Sequence, residues 1–343
     1  MKAVSRRDFL RAGGYLVAGA AAAAACTPAG PAPAQHSTAG SAHPATFTGG
    51  SEPIPGTVGE VDHEKNGFNP SDVLKDFDYG TVSTLPNGRT LREWEVVSYN
   101  RSIEVVPGIE FPAWTFNGRI PGPTLRCTEG DRLRIIFKNG SDHPHTMHFH
   151  GFHPAEMDGV PPQGTVEPGG QFMYEFDAGP FGLHLYHCHA FPLARHIAKG
   201  LYGAFIVDPK VGRPPIDHEM VMVMSGIDVD FDDTNDFYAV NGIPFHYQNH
   251  PIQVRAGESV RIYLVNILEF DPINSFHLHA SFFHYYPTGT SLIPAEFTDT
   301  VIQGQAQRGI LEFKYDFPGM YMFHAHVTEF AELGWTGMFE VLP

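Results

Sequence analysis

From about residue 93 onward, apolar residues gather in short runs broken by glycine, proline and asparagine. Trp94-Glu95-Val96-Val97, Leu133-Arg134-Ile135-Ile136-Phe137 and Phe172-Met173-Tyr174-Glu175-Phe176 have the length and residue types of strands. Thr124-Leu125-Arg126-Cys127 reads as another. Met220, Met222 and Met224 alternate along one more and are expected to fill a core. Few long amphipathic helical patterns intervene, although Pro70-Ser71-Asp72-Val73-Leu74 predicts a short helix with Ser71 as its cap. The pattern predicts an all-β protein rich in turns.

The strand pattern occurs twice. Phe116-Asn117-Gly118 is echoed by Val240-Asn241-Gly242, and Gly130-Asp131-Arg132-Leu133 by Gly257-Glu258-Ser259-Val260. Gly182-Leu183-His184-Leu185-Tyr186-His187-Cys188-His189 is echoed by Gly319-Met320-Tyr321-Met322-Phe323-His324-Ala325-His326. Order is kept, and the offset drifts slowly, as loop insertions would cause. This is a tandem duplication of a Greek-key β-sandwich, with domains expected at 93–210 and 211–343. Residues 61–92 form an arm expected to pack on the first domain or on a neighbouring subunit.

The beginning of the chain reads differently. Ser5-Arg6-Arg7-Asp8-Phe9-Leu10 resembles a twin-arginine export signal within residues 1–26, and Ala23-Ala24-Ala25-Cys26 resembles a lipobox whose cysteine would carry a lipid anchor. The alternative is simple cleavage near the alanine block. Export would leave the protein periplasmic or at the cell surface. Residues 27–60, rich in Pro, Gly, Ala, Ser and Thr, read as a tether. His36, His43 and His63 lie in or near it and are not expected to be ligands.

Composition narrows the partners. A net charge of −16 argues against nucleic acid and anionic membrane surfaces. Gly 36, Pro 29 and 13% aromatic residues agree with a turn-rich β protein of 343 residues. Cys26, Cys127 and Cys188 are the only cysteines. With Cys26 modified and Cys188 on a metal, no disulfide framework remains, and Cys127 is expected to be a buried free thiol.

The candidate chemistry lies in four His-x-His pairs: His148-Phe149-His150, His187-Cys188-His189, His277-Leu278-His279 and His324-Ala325-His326. On a strand, residues i and i+2 share a face about 6.5–7 Å apart. Eight imidazoles exceed what one ion takes and suit a polynuclear site, with copper favoured among imidazole-loving metals. Cys188 must face away from His187 and His189. A thiolate with two histidines, His145 and His196 being the candidates, is a blue-copper donor set.

At these motifs residues 93–343 resemble the two-domain multicopper oxidases built from cupredoxin domains, laccase-like enzymes that use dioxygen. The resemblance implies that His145, Cys188 and His196 hold type 1 copper with Leu201 in a non-coordinating axial position. It implies His148 and His277 on type 2 copper, and His150, His187, His189, His279, His324 and His326 on the type 3 pair, for about four copper ions per chain. The Ala190–Arg195 loop before His196 is longer than the family's usual spacing. Ala325 stands where Cys188 stands, so the second copy would lack blue copper. Proton donors should be carboxylates near the cluster. Asp158, in Met157-Asp158-Gly159-Val160, resembles the family's acidic residue, and Glu329 and Glu332 after His326 are further candidates. The implied partners are dioxygen and a reductant: a small molecule, a metal ion or a redox protein. The implied assembly is a homotrimer with clusters at subunit junctions. The related copper nitrite reductases, which turn nitrite into nitric oxide, are the alternative, as is a non-enzymatic blue-copper electron carrier. Nitrite reductases have no use for so many imidazoles. His143, His153, His184, His246, His250 and His284 are expected to support other groups or face solvent, and His184 has the wrong parity to join His187.

Overall fold

In the computed structural model, residues 59–343 are described, and the fold is all-β as expected. The export signal, the tether and Cys26 lie outside the described residues. Four sheets form, two from residues 77–208 and two from residues 218–342. The predicted strands appear as Thr90–Val106, Thr124–Thr128, Arg132–Asn139 and Gln171–Asp177. Their partners in the second half include His218–Ile227, Ser259–Asn266 and Arg308–Lys314.

The repeated Asn-Gly pairs turn the chain in the same way. Asn117 and Gly118 have φ of 52° and 78°, and Asn241 and Gly242 have 56° and 87°. Positive φ at both central positions is the tight-hairpin requirement that Asn-Gly meets at least cost.

Each half has its own core. Phe116, Phe137, Phe149, Tyr174 and Tyr186 surround Cys188 and Leu201 in the first. Met220, Met222 and Met224 pack with Phe276, Phe323 and Trp335 in the second, as their alternation predicted. A third cluster takes Ile103 and Leu185 from the first half and Val221 and Val265 from the second. Each such side chain contributes about 1.5–3 kcal/mol when fully buried, so the two halves are fused by a shared apolar layer. Cys127 is buried and free, as expected.

Two local expectations need correction. The helix Pro70–Val73 is capped by Asn69, whose side chain accepts from Ser71 N–H, and not by Ser71. Pro70 occupies the first helical turn, where its fixed φ is an advantage, and this places the cap at Asn69, two residues before Ser71. The arm also reaches further than the first half. Phe77–Asp78 pairs with Thr124–Leu125, but the Tyr247 hydroxyl donates to Pro70 O at 2.7 Å, and Val221 N–H donates to Leu74 O.

Candidate metal centre

Strand Gly182–His187 pairs antiparallel with Tyr202–Asp208 and, at its end, with His148–Phe149. His148 lies directly opposite His187. The second copy repeats this, with His277 opposite His324. The strands stop at His148–Phe149, His187, Leu278 and His324, so the second histidine of every pair lies beyond a strand end. The expectation of whole pairs on strands is corrected. Leaving the extended conformation lets the rings of each pair converge to between 4.9 and 5.8 Å.

Cys188 divides the site as parity required. Its sulfur lies 3.2 Å from His196 Nδ1 and 3.8 Å from His145 Nδ1, and the two nitrogens are 3.2 Å apart. All three residues are buried. Burial holds His145 down at about 3 and His196 at about 4, so both rings are neutral, and it pushes the Cys188 thiol up to about 11. Among the described residues, no cation stands against this buried thiol to make it a thiolate. A metal ion supplies that charge, and the soft sulfur with two imidazoles fits copper. The expected loop before His196 holds a helix, Leu193–Ala198, that carries His196. Its extra residues make the helical turn. Leu201 is buried beside the set, its carbonyl accepting from Cys188 N–H at 2.9 Å.

On the far side, four imidazoles form a quartet. His148 meets His150, His187 and His189 with ring centres 5.1, 5.1 and 5.3 Å away. His277 meets His279, His324 and His326 at 4.9, 5.4 and 5.2 Å. Among the described residues, ring contacts run within each quartet and none joins the two. One chain therefore brings the eight imidazoles together as two halves.

Backbone carbonyls fix the tautomers. Nδ1 of His148 donates to Asp158 O at 2.7 Å, and Nδ1 of His187 to Cys188 O at 2.9 Å. Nδ1 of His277 lies 3.0 Å from Asp299 O, and Nδ1 of His324 donates to Ala325 O at 2.7 Å. A carbonyl only accepts, so Nδ1 carries the proton and each Nε2 presents a lone pair. These lone pairs point at other rings: His187 Nε2 lies 3.3 Å from His150 Nε2, and His324 Nε2 lies 3.0 Å from His279 Nε2. The buried Nδ1 of His189 has no hydrogen-bond partner among the described residues. Converging imidazole lone pairs braced by carbonyls are the arrangement of a metal-ligand set.

Asp158 lies against this quartet. Its Oδ1 is 3.1 Å from His148 Nδ1 and 3.6 Å from His153 Nε2, with the carboxylate 39% exposed. Gly159 makes the approach feasible, because at its φ of +69° a Cβ would sit 2.0 Å from Met147 O. Glu329 and Glu332 ride the helix Thr328–Glu332, the first half-buried and the second exposed. His153 Nε2 donates to Phe149 O at 2.8 Å, and His184 Nε2 donates to Pro180 O at 2.8 Å with its ring against Phe205.

Several residues escaped the sequence reading. Thr146 and Ser275 hold the pairs together within each copy, and their matching positions before His148 and His277 were a usable signal. Asp299 and Thr300 brace His277 with no motif to mark them. Trp114 covers His143, His145 and His196 at 4.6, 5.3 and 4.7 Å. It lines a cavity of about 740 Å³ that reaches His196, with Arg195 and Lys199 on its wall. Burial holds the Lys199 ammonium down at about 8.

Comparison with known proteins agrees with this geometry. Two family models described as multicopper oxidase match residues 100–212 and 214–343. A solved structure described as a multicopper oxidase is 62% identical, with a TM-score of 0.81, covering 82% of this chain and 100% of that one. The copper nitrite reductase of Nitrosomonas europaea is 27% identical with a TM-score of 0.67, over 73% of this chain and 94% of its own. The copper-containing nitrite reductase of Neisseria meningitidis serogroup A is 30% identical over 247 residues, 66% of this chain. That match spans 63% of the relative's length.

Proposed function

The chain belongs to the multicopper oxidase family, and from that premise we propose that it oxidises a reductant one electron at a time and reduces dioxygen to water. The carrying observation is the division at Cys188: its sulfur faces His145 and His196, while His187 and His189 face the quartet behind it. Bound copper supplies the redox chemistry. His145, Cys188 and His196 would hold type 1 copper beside the non-coordinating Leu201. His148 and His277 would hold type 2, and His150, His187, His189, His279, His324 and His326 the type 3 pair.

The chain's own groups have separate tasks. The cavity beside His196 is where a reductant would dock, and Trp114 excludes water from the buried rings beneath it. Asp158 would exchange protons with water at Oδ1, since its carboxylate is partly exposed and touches a site imidazole. Its backbone carbonyl meanwhile keeps the His148 proton on Nδ1. The separation of the quartets supports closure of the site by a second copy, as in a homotrimer. Export through Arg6-Arg7, to the periplasm or cell surface with Cys26 as lipid anchor, belongs to the same proposal.

The nitrite reductases among the relatives give the competing reading, reduction of nitrite to nitric oxide. Two complete imidazole quartets favour dioxygen. The test is oxygen uptake by copper-loaded protein across phenols, metal ions and a cytochrome, with His279→Ala as control. Uptake lost in the variant supports the proposal. Uptake equal in both removes the second quartet from it.

A further inference from the structure

Three histidines outside the centre described above meet where the N-terminal arm crosses the second half. His246 opens the helix His246–Asn249 and His250 caps it, so they lie one turn apart on one face. His63, from the helix His63–Asn66, faces them. Ring centres are 5.0 Å apart for His63 and His246, 4.7 Å for His246 and His250, and 6.2 Å for His63 and His250. One nitrogen from each lies within 4.8 Å of the others. Imidazoles sharing a tetrahedral ion with bonds of ~2.0–2.1 Å place their ring centres about 5 Å apart. The sequence reading expected none of the three to be a ligand.

We propose that His63, His246 and His250 form a separate site for a divalent transition-metal ion of the copper(II) or zinc(II) class, with Glu60 as the available fourth ligand. Nδ1 of His63 is buried without a hydrogen-bond partner among the described residues, a cost that an ion would remove. His246 Nε2 is engaged by Ser71 Oγ at 2.8 Å, which fixes the ring and leaves Nδ1 as its remaining ligand atom. Glu60 Oε1 stands 3.5 Å from His250 Nε2, and its carboxylate is 66% exposed, free to swing onto an ion. The void between these residues measures about 10 Å³, room for an ion and not for a small molecule. Phe245 is held at φ 62°, a left-handed conformation costly for a bulky side chain, directly before His246. The ion would staple the arm to the second half and take no part in electron transfer.

Full-length protein is loaded with copper, equilibrated with zinc(II), desalted and analysed for both metals together. His63→Ala and His250→Gln are treated alike, the latter altering a side chain that is 40% exposed. The wild type should carry one more divalent ion per chain than either variant. The affinity for that ion should fall by at least about 100-fold in each, the upper end of what loss of a mere supporting partner costs. Zinc should also raise the unfolding temperature of the wild type and not of the variants. Circular dichroism establishes that the variants are folded, and either one decides the matter alone. Equal metal content in wild type and a folded variant overturns the proposal.

Discussion

The hydroxyl of Thr146 accepts a 2.9 Å hydrogen bond from the backbone N–H of His189. Ser275 does the same for His326 at 2.8 Å in the second copy. Each hydroxyl ties one His-x-His pair to the other within its own half. Duplication has preserved a brace as well as the ligands it positions.

Thr146→Val keeps the side-chain shape and leaves the His189 N–H without its acceptor. The expected loss is about 1–3 kcal/mol, the penalty for an unmet buried donor. Urea unfolding of the copper-free protein reads it directly, and Thr146→Ser should recover most of the difference. Equal midpoints for the valine and serine variants would show that the brace is idle.

Gly159→Ala should be more damaging than most glycine substitutions here. The new methyl would meet Met147 O at 2.0 Å, in a backbone conformation with φ of +69°. Strain alone costs of order 1–3 kcal/mol. Relieving the clash moves the Asp158 carbonyl away from His148 Nδ1. Thermal unfolding should shift downward and copper content should fall together. Unchanged copper content would mean that His148 does not depend on that carbonyl.

Acid should destabilise the copper-free chain in a definite window. Burial holds His145 and His150 at about 3, and His187 and His196 at about 4, against about 6.5 in the unfolded chain. Between those values the unfolded state binds more protons. Stability therefore rises with pH across the window and is lost as pH falls below about 6.5. Copper should postpone the loss, because metal and proton compete for the same lone pairs. Unfolding temperatures that stay flat from about pH 6.5 down to 4 would contradict this assignment of neutral rings.

How much of this was legible beforehand differs by residue. The two modules and Cys188 facing away from its neighbours follow from period-2 geometry and repetition, which act over short stretches of chain, whereas the company of His148 with His187 is implied only by the family resemblance. Asp299 bracing His277 from 22 residues away, and Trp114 over His196, depend on how loops return, for which no local pattern exists. The helix bearing His196 leaves no mark in the sequence, because a short segment made helical by packing has little periodicity of its own. The trio of His63, His246 and His250 has no local signature either, because His63 reaches the other two only through the path of the arm.

Asp158→Asn separates proton delivery from ligand bracing, since the backbone carbonyl to His148 is retained. Oxygen uptake should drop by about 10²–10⁴-fold, the usual contribution of a positioned acid–base group. Copper content and visible colour should stay. Loss of copper in this variant would instead make Asp158 a positioning residue.

The central claim is tested most directly by counting the electrons that reach each dioxygen. Copper-loaded protein is given a one-electron phenolic donor in an oxygen electrode, with peroxide assayed in parallel and nitric oxide followed when nitrite is added. The account predicts four donors oxidised per dioxygen, no peroxide, and loss of the activity in Cys188→Ser. Nitric oxide from nitrite without oxygen uptake would contradict it.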